Sequence, residues 1–444
     1  YLGSRATFAL GQFGGHAGRT LRAADILPLA NPSLPALADT APLYAPAALP
    51  AAMIPSYGKT WDIGVLYGPH GAPDFFTAES IETFFASEWE VHYNSNRLGI
   101  RLNGPKPTWT RSDGGEAGLH PSNVHDCEYA IGSINFTGDM PVILTRDGPS
   151  LGGFVCAATI VKGELWKVGQ VKPGDKIRFR EMSFDDALVL EQQQDAFIET
   201  WQGEVAEPVL SLTRGEPILF EAPAADGRPK TVFRQADDKY ILIEYGENVL
   251  DLNLRFRIHA LMEALKLHPS DGVIELSPGV RSLQVRYDSR IISQKKLVEL
   301  LVTTDGALTG IETMQVSSRV VHLPMAYNDS ATLDAVAKYR QSVRDTAPWL
   351  PSNTEFIRRI NGLESDDTVR DTIYQSSYMV LGIGDVYLGA PCAVPIDPRH
   401  RMLTSKYNPA RTYTAEGTVG IGGVYMCIYG MDSPGGYQLV GRTL

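Results

Sequence analysis

The chain has 444 residues, 43% of them hydrophobic and 20% charged, with a formal net charge of −11. That length exceeds one ordinary core and predicts two domains or more. The acidic balance argues against a nucleic-acid or anionic-membrane surface, and no apolar run reaches the length of a bilayer.

From Tyr1 onward there is neither an initiator Met nor a signal peptide, and the opening reads as the middle of a fold. The chain is therefore expected to be a piece of something longer. Cys127, Cys156, Cys392 and Cys427 are far apart, with no CxxC pair, which predicts reduced, buried thiols in a cytoplasmic protein. Cys392 stands in a Gly- and Pro-rich stretch read as a loop, and is the thiol expected to be most open to reaction.

GQFGGHAGR (11–19) is rich in glycine but is not set between a strand and a helix, as a dinucleotide fingerprint requires. Residues 28–56, rich in Ala and Pro without periodicity, predict an extended surface linker. TAESIETFFAS (77–87) predicts a helix capped by Thr77. His120 and His125 fall in LHPSNVHD, a loop by composition; further ligands are lacking, so no metal is assigned and His125 is read as structural. In AIGSINFTGDMPVILTRDGPSLGGF (130–154) the apolar residues predict a barrel strand with Asn135 and Asp139 at its polar tips. Its glycines let a ligand approach the backbone. The alternative is a strand-end turn in which Asn135 and Asp139 satisfy local backbone groups.

ELWKVGQVKPGDKIRFREMS (164–183) predicts two strands around a turn at 172–175, the second alternating with period two. Residues 183–202 predict a long helix, and the Glu/Pro/Gly-rich 203–230 a domain connection. Helical patterns at 253–267 and 293–302 flank a strand pair within 273–288, and a further one covers about 331–346. The last hundred residues read as short strands and Gly-rich turns. Short Val-, Ile-, Phe- and Tyr-rich runs between Gly and Pro make the fold mainly β with peripheral helices. The modules are 1–202 and 231–444. No GxxxxGK[ST] or HExxH motif occurs and no GxSxG nucleophile elbow is read, so none of these assigns a reaction.

YLGSRATFALGQFGGHAGRTLRAAD (1–25), SNRLGIRLNGP (95–105), INFTGDMPVILTRDGPSLGGFVC (134–156) and LWKVGQVKPGDKIRF (165–179) resemble one allophanate-hydrolase-type module of biotin-dependent carboxyltransferases. ELSPGVRSLQVRYD (275–288), MAYNDSATLDAVA (325–337), RINGL (359–363), GIGDVYLGAP (382–391), NPAR (408–411) and TVGIGGVYMCIYGMDSPGGYQLVGRT (418–443) resemble the second. In this order the pair is similar to the carboxyltransferase region of the urea carboxylase and urea amidolyase family. The resemblance implies two cyclophilin-like β-barrels, the first lacking its opening strands. It implies transfer of a carboxyl group from carboxybiotin to urea, giving allophanate in urea degradation. Biotin is expected on a separate carrier domain; ATP and Mg are used by a biotin carboxylase domain absent from this sequence. Both domains are expected partners within one polypeptide. The alternatives are guanidine carboxylation, a 5-oxoprolinase-type activity, or a non-catalytic, kinase-inhibitor-like binding protein.

Urea presents one acceptor and four N–H donors in a plane, so its site needs both acceptors and a donor. The resemblance puts Asn135 in that role, with Asp139 as a further catalytic candidate. Asp385, in GIGDVYLGAP, stands where related 5-oxoprolinase-type modules look like G-F-x-P-G-F-x-Y-L, and is read as either a turn residue or an acceptor for urea's NH2 groups. Tyr387, Gly435 and Gly436 are candidates for the substrate pocket, and Lys406, Asn408 and Arg411 for the carboxyl or ureido oxygens of carboxybiotin. Asn135 opposite Asp385 suits neutral urea better than guanidinium.

Overall fold

The computed structural model describes all residues except 1–5, 10, 28–49, 203–206, 211–214, 226, 385–389 and 444. It divides into a small unit, Tyr1–Ser56 with Trp201–Val205, and a large one, Tyr57–Thr200 with Ala206–Leu444. In the small unit the strands Thr7–Phe8 and Phe13–Gly14 pair, and Arg19 holds Asp25 at 2.6 Å. Most of the expected linker, 28–49, lies outside the described residues.

The large unit begins with a closed seven-stranded barrel. Around it run Cys156–Ile160, Thr60–Tyr67, Lys176–Glu181, Trp89–Val91, Ile100–Asn103, Met140–Ile143 and Ser133–Thr137, which returns to the first. All neighbours are antiparallel except Thr60–Tyr67 with Lys176–Glu181. The alternation of 176–180 sends Ile177 and Phe179 into the core, while Lys176 pairs with Glu90 and Arg178 and Arg180 pair with Asp62. Helix Ala78–Ala86 starts where Thr77 accepts from the Ser80 amide, and Phe84 stacks on Phe179 with ring centres 5.0 Å apart.

Two local expectations are corrected here. Residues Leu165–Val168 form a helical turn and not a strand. Glu164 and Lys167, three apart, meet at 2.7 Å, and the same carboxylate accepts from the Gly64 amide, which the helical spacing permits. His125 lies not in a loop but in the strand Asn123–Glu128, paired with Leu151–Phe154 and buried throughout. Its polar residues find their partners far along the chain: His125 meets Tyr425, and Glu128 accepts from Ser282 and the Gln284 amide. Composition cannot register such distant partners.

The second half opens with a five-stranded sheet: Ile218–Ala222, Thr231–Gln235, Tyr240–Tyr245, Ser282–Tyr287 and Val273–Pro278. Its first strand falls inside the expected connection 203–230. The helices Leu252–Leu267 and Gln294–Gly306 share an apolar core with this sheet through residues such as Ile258, Leu261, Leu297 and Leu301. A six-stranded sheet follows, ordered Met325–Tyr327, Gln438–Thr443, Thr418–Gly422, Tyr425–Ile428, Pro391–Pro395 and Tyr378–Ile383. A two-stranded ladder joins Arg411–Thr414 to Ser433–Gly435.

Helix Ser330–Ser342 lies where the pattern at 331–346 predicts one. The helices Asn353–Ile360 and Asp366–Gln375 correct the reading of the last hundred residues as strands and turns alone. Each begins at a serine that caps it, Ser352 on the Glu355 amide and Ser365 on the Thr368 amide. The four cysteines are free and buried. Cys392 lies within a strand at 0% exposure, not in a loop, which removes the reason to single it out as reactive. Among the described residues no cluster of three or more His, Cys, Asp or Glu is placed to hold a metal ion, and no helix is long and apolar enough to cross a membrane.

Candidate functional site

A cavity of about 120 Å³ lies between elements of the two halves. One wall comes from Ile100–Asn103, Ser133–Thr137, Met140–Ile143 and Leu151–Phe154; the other comes from residues 406–410 and 434–437. Tyr129, Leu98, Leu144 and Phe154 make much of it apolar.

Asn135 is at mid-strand and not at a tip, opposite Val142 on one side and Cys156 on the other. The ladder shifts register between Cys156 and Ala158, beside Asn135, and such bulges re-aim side chains. Asn135 is 4% exposed, and its buried Oδ1 has no hydrogen-bond partner. An acceptor buried without a donor costs roughly 1–3 kcal/mol. Its place on the cavity wall offers it an N–H from a ligand.

Lys406 faces Asn135's wall from the other half. Its Nζ donates to Asp126 Oδ1 and to the Gly153 carbonyl, both at 3.3 Å, and lies 5.1 Å from the centre of the Phe154 ring. Tyr437 donates to Asp126 Oδ2 at 3.1 Å. Arg101 reaches across to the carbonyls of Ala410 and Arg411 at 3.3 and 3.4 Å. Gly435 and Gly436 complete the rim, and a side chain at Gly435 would strike the Tyr429 hydroxyl.

The structure therefore brings Asn135, Lys406, Gly435 and Gly436 to one cavity. Three other candidates lie elsewhere. Asp139 occupies the turn after Ser133–Thr137, within 3.2 Å of Trp109 Nε1, 3.5 Å of His120 and 3.7 Å of Lys106. Its hydrogen bond with His120, assisted by Trp109 and Lys106, holds its carboxyl below the usual range against the cost of burial. It lines a separate pocket with Asn408, whose side chain packs on Gly138. Arg411 is 1% exposed; its guanidinium donates to Thr414, to Tyr429 and to the Tyr437 carbonyl, bracing the second half from within. Asp385 and Tyr387 lie outside the described residues. Sequence reasoning passed over Asp126, Arg101, Tyr129 and Tyr437. The pair Gly152-Gly153 was a usable signal, since a Cβ at Gly152 would meet Tyr129, and one at Gly153 would meet Lys406 and Asp126.

Comparison with known proteins agrees with this architecture. Residues 1–181 match the family model "Carboxyltransferase domain, subdomain A and B", and 231–444 match "Carboxyltransferase domain, subdomain C and D". The urea amidolyase of Lachancea kluyveri is 52% identical over the whole chain, and the chain spans 25% of that relative. A putative urea carboxylase of Emericella nidulans is 38% identical, again over the whole chain and 37% of the relative. The crystal structure of Kluyveromyces lactis urea carboxylase superposes with a TM-score of 0.91 at 50% identity, covering all of this chain and 40% of that one. The chain thus spans about a quarter of the urea amidolyase it matches and under half of each urea carboxylase. With both halves matched in order, and with half-identical relatives over its full length, the chain belongs to the carboxyltransferase-domain family, as the carboxyltransferase portion common to urea amidolyases and urea carboxylases.

Proposed function

We propose that this chain catalyses carboxyl transfer to a urea nitrogen, giving allophanate, as the second half-reaction of a biotin-dependent urea carboxylase. Biotin, held on a carrier domain of the same polypeptide, supplies the carboxyl group on its ureido nitrogen. ATP and Mg serve a separate biotin carboxylase domain. The observation that carries this reading is the orphaned Asn135 Oδ1 on the wall of a cavity shared by both halves.

Urea nitrogen is a poor nucleophile because its lone pair is delocalised into the carbonyl, so positioning must supply much of the rate. Asn135 Oδ1 takes an N–H of urea and fixes the plane of the molecule. Lys406 Nζ has three N–H bonds and two protein partners, which leaves one to hold a carboxyl oxygen. The walls of Tyr129, Phe154 and Leu144 keep out water and strengthen both contacts. Asp385 and Tyr387 remain, on sequence grounds, proposed further contacts to urea's NH2 groups. No Asp, Glu or His among the described residues lines the cavity, whereas Arg101 and Lys406 do. A guanidinium would meet like charge there, which favours neutral urea over guanidine.

The test is formation of labelled allophanate from bicarbonate, ATP and urea by the full-length polypeptide. The wild type is expected to form it, and Asn135→Ala to lose at least about thirtyfold in kcat/KM, near 2 kcal/mol. Absence of urea-dependent product in the wild type, or an unchanged kcat/KM in the variant, overturns the reading.

A further inference from the structure

Lys406 has a second half to its environment that no ligand contact requires. Asp126, at 0% exposure, stands behind it on the strand Asn123–Glu128, and its two oxygens are divided between two groups of the other half: Oδ1 takes Lys406 Nζ and Oδ2 takes the Tyr437 hydroxyl. The Asp126 backbone is itself pinned, its carbonyl accepting from the Val280 amide at 2.9 Å. Lys406 Nζ lies 5.1 Å from the Phe154 ring centre and 5.4 Å from that of Tyr437, so aromatic faces bound the ammonium on two sides. On a third side there is no room at all. A Cβ built at Gly153 would come within 2.1 Å of Lys406 Nζ and 2.3 Å of Asp126 Oδ1.

Lysine is a flexible point charge with a long stem, and by itself it fixes no geometry. Here the stem is buried, and the head is set by one carboxylate, one carbonyl and two rings. We infer that Asp126 is a positioning residue: braced by the Tyr437 hydroxyl, it sets where the Lys406 ammonium stands at the cavity wall, and acts on transfer only through that ammonium. This rests on the proposed function, which gives Lys406 the carboxyl oxygen. A purely structural salt bridge between the halves would hold the fold equally well without directing the ammonium at the cavity.

The two roles separate in a double-mutant cycle on the full-length polypeptide, read as urea-dependent allophanate formation with melting temperature in parallel. Lys406→Met keeps the stem's volume and removes the charge; Asp126→Asn keeps the shape of the carboxylate. Lys406→Met is expected to lower kcat by about thirtyfold or more, and Asp126→Asn by about tenfold or more, with the urea KM moving less than about threefold in each. The double variant should fall within about threefold of Lys406→Met alone, because Asp126 has nothing left to direct. If the two losses multiply, or if Asp126→Asn changes only the melting temperature, Asp126 is merely structural and the inference fails. Should Asp126→Asn not fold, Tyr437→Phe decides: it removes one hydroxyl from the same carboxylate, a tenfold lower kcat is expected, and wild-type kcat overturns the inference. A wild type with no urea-dependent product refutes the proposed function instead, before any variant is compared.

Discussion

Glu244, in the strand Tyr240–Tyr245, and Arg281, one residue ahead of its neighbour strand Ser282–Tyr287, form a buried ion pair with Oε1 2.7 Å from Nη2. Arg234 takes the other oxygen at 2.5 Å and reaches on to Asp74 at 3.0 Å. Burial alone would raise the Glu244 carboxyl, but Arg281 and Arg234 outweigh it and hold the group well below the usual carboxylate range. Replacing one member leaves the others charged in a dry site, and Glu244→Gln is expected to destabilise the fold by about 3–5 kcal/mol. Urea denaturation monitored by tryptophan fluorescence measures this; a loss under about 1 kcal/mol would mean that the network relaxes or hydrates.

Stability should depend on pH through buried groups of opposite sign. His70 and His125 are each pushed down from 6.5 to about 3, chiefly by burial. The folded state stays neutral there while the unfolded chain takes up protons, so stability is full above pH 6.5 and is lost as pH falls toward 3. Glu128 is pushed up from 4.5 to about 7, again chiefly by burial. Its contribution is full below pH 4.5 and lost as pH rises through 7. The two slopes oppose each other between 4.5 and 6.5, and below 4.5 only that of the histidines remains. His125→Gln should flatten the acid limb of a melting-temperature profile and Glu128→Gln the neutral one; parallel profiles would refute the assignment.

Glycines 153 and 436 both border the cavity, yet they should respond differently to alanine. At Gly153 the new methyl collides with Lys406, Asp126 and the Val124 carbonyl. At Gly436 the nearest atoms, on Phe154 and Lys406, are at ordinary contact distances of 3.7 and 3.8 Å. Gly153→Ala is expected to cost at least about tenfold in allophanate formation, by analogy with losing a single charge-assisted contact. Gly436→Ala should stay within about threefold, because it displaces none of them. Equal effects in steady-state kinetics would argue against the tight seat of Lys406.

Substrate choice is expected to turn on Asn135. Asn135→Asp adds a carboxylate to a wall that already carries Arg101 and Lys406, giving a guanidinium a charged partner that urea cannot use. The ratio of kcat/KM for guanidine to that for urea should rise at least about tenfold, near 1.4 kcal/mol. An unchanged ratio would mean that Asn135 does not read the substrate.

What sequence made legible was local. Thr77, Asp251 and Ser293 cap helices at the places where periodic runs begin, and the alternation of 176–180 is the barrel's own. Ser352 and Ser365 gave the same signal for two further helices, but these are short, and their apolar positions are few among charged neighbours. The site was legible only in part. Asn135 stood out as a polar residue in an apolar run, whereas Asp126 looked like one more polar residue of a loop. Its partners, Lys406 and Tyr437, are 280 and 311 positions away. Arg411 shows the converse error: a cation in the NPAR stretch reads as available for ligand, yet it is satisfied by Thr414, Tyr429 and the Tyr437 carbonyl. Charge can be read from the sequence, but whether that charge already has a partner cannot.

The parallel pairing of Thr60–Tyr67 with Lys176–Glu181 has a consequence for biogenesis. During synthesis, Thr60–Tyr67 leaves the ribosome more than a hundred residues before the strand that seals its open edge. Until then an apolar strand with unpaired backbone groups is exposed, the situation in which β-proteins aggregate. Asp126 waits longer still, for Lys406 and Tyr437. Translation pauses or chaperone engagement should therefore matter most before about residue 180 for solubility and before about residue 440 for activity, so that nascent chains stalled between those points are soluble but inactive.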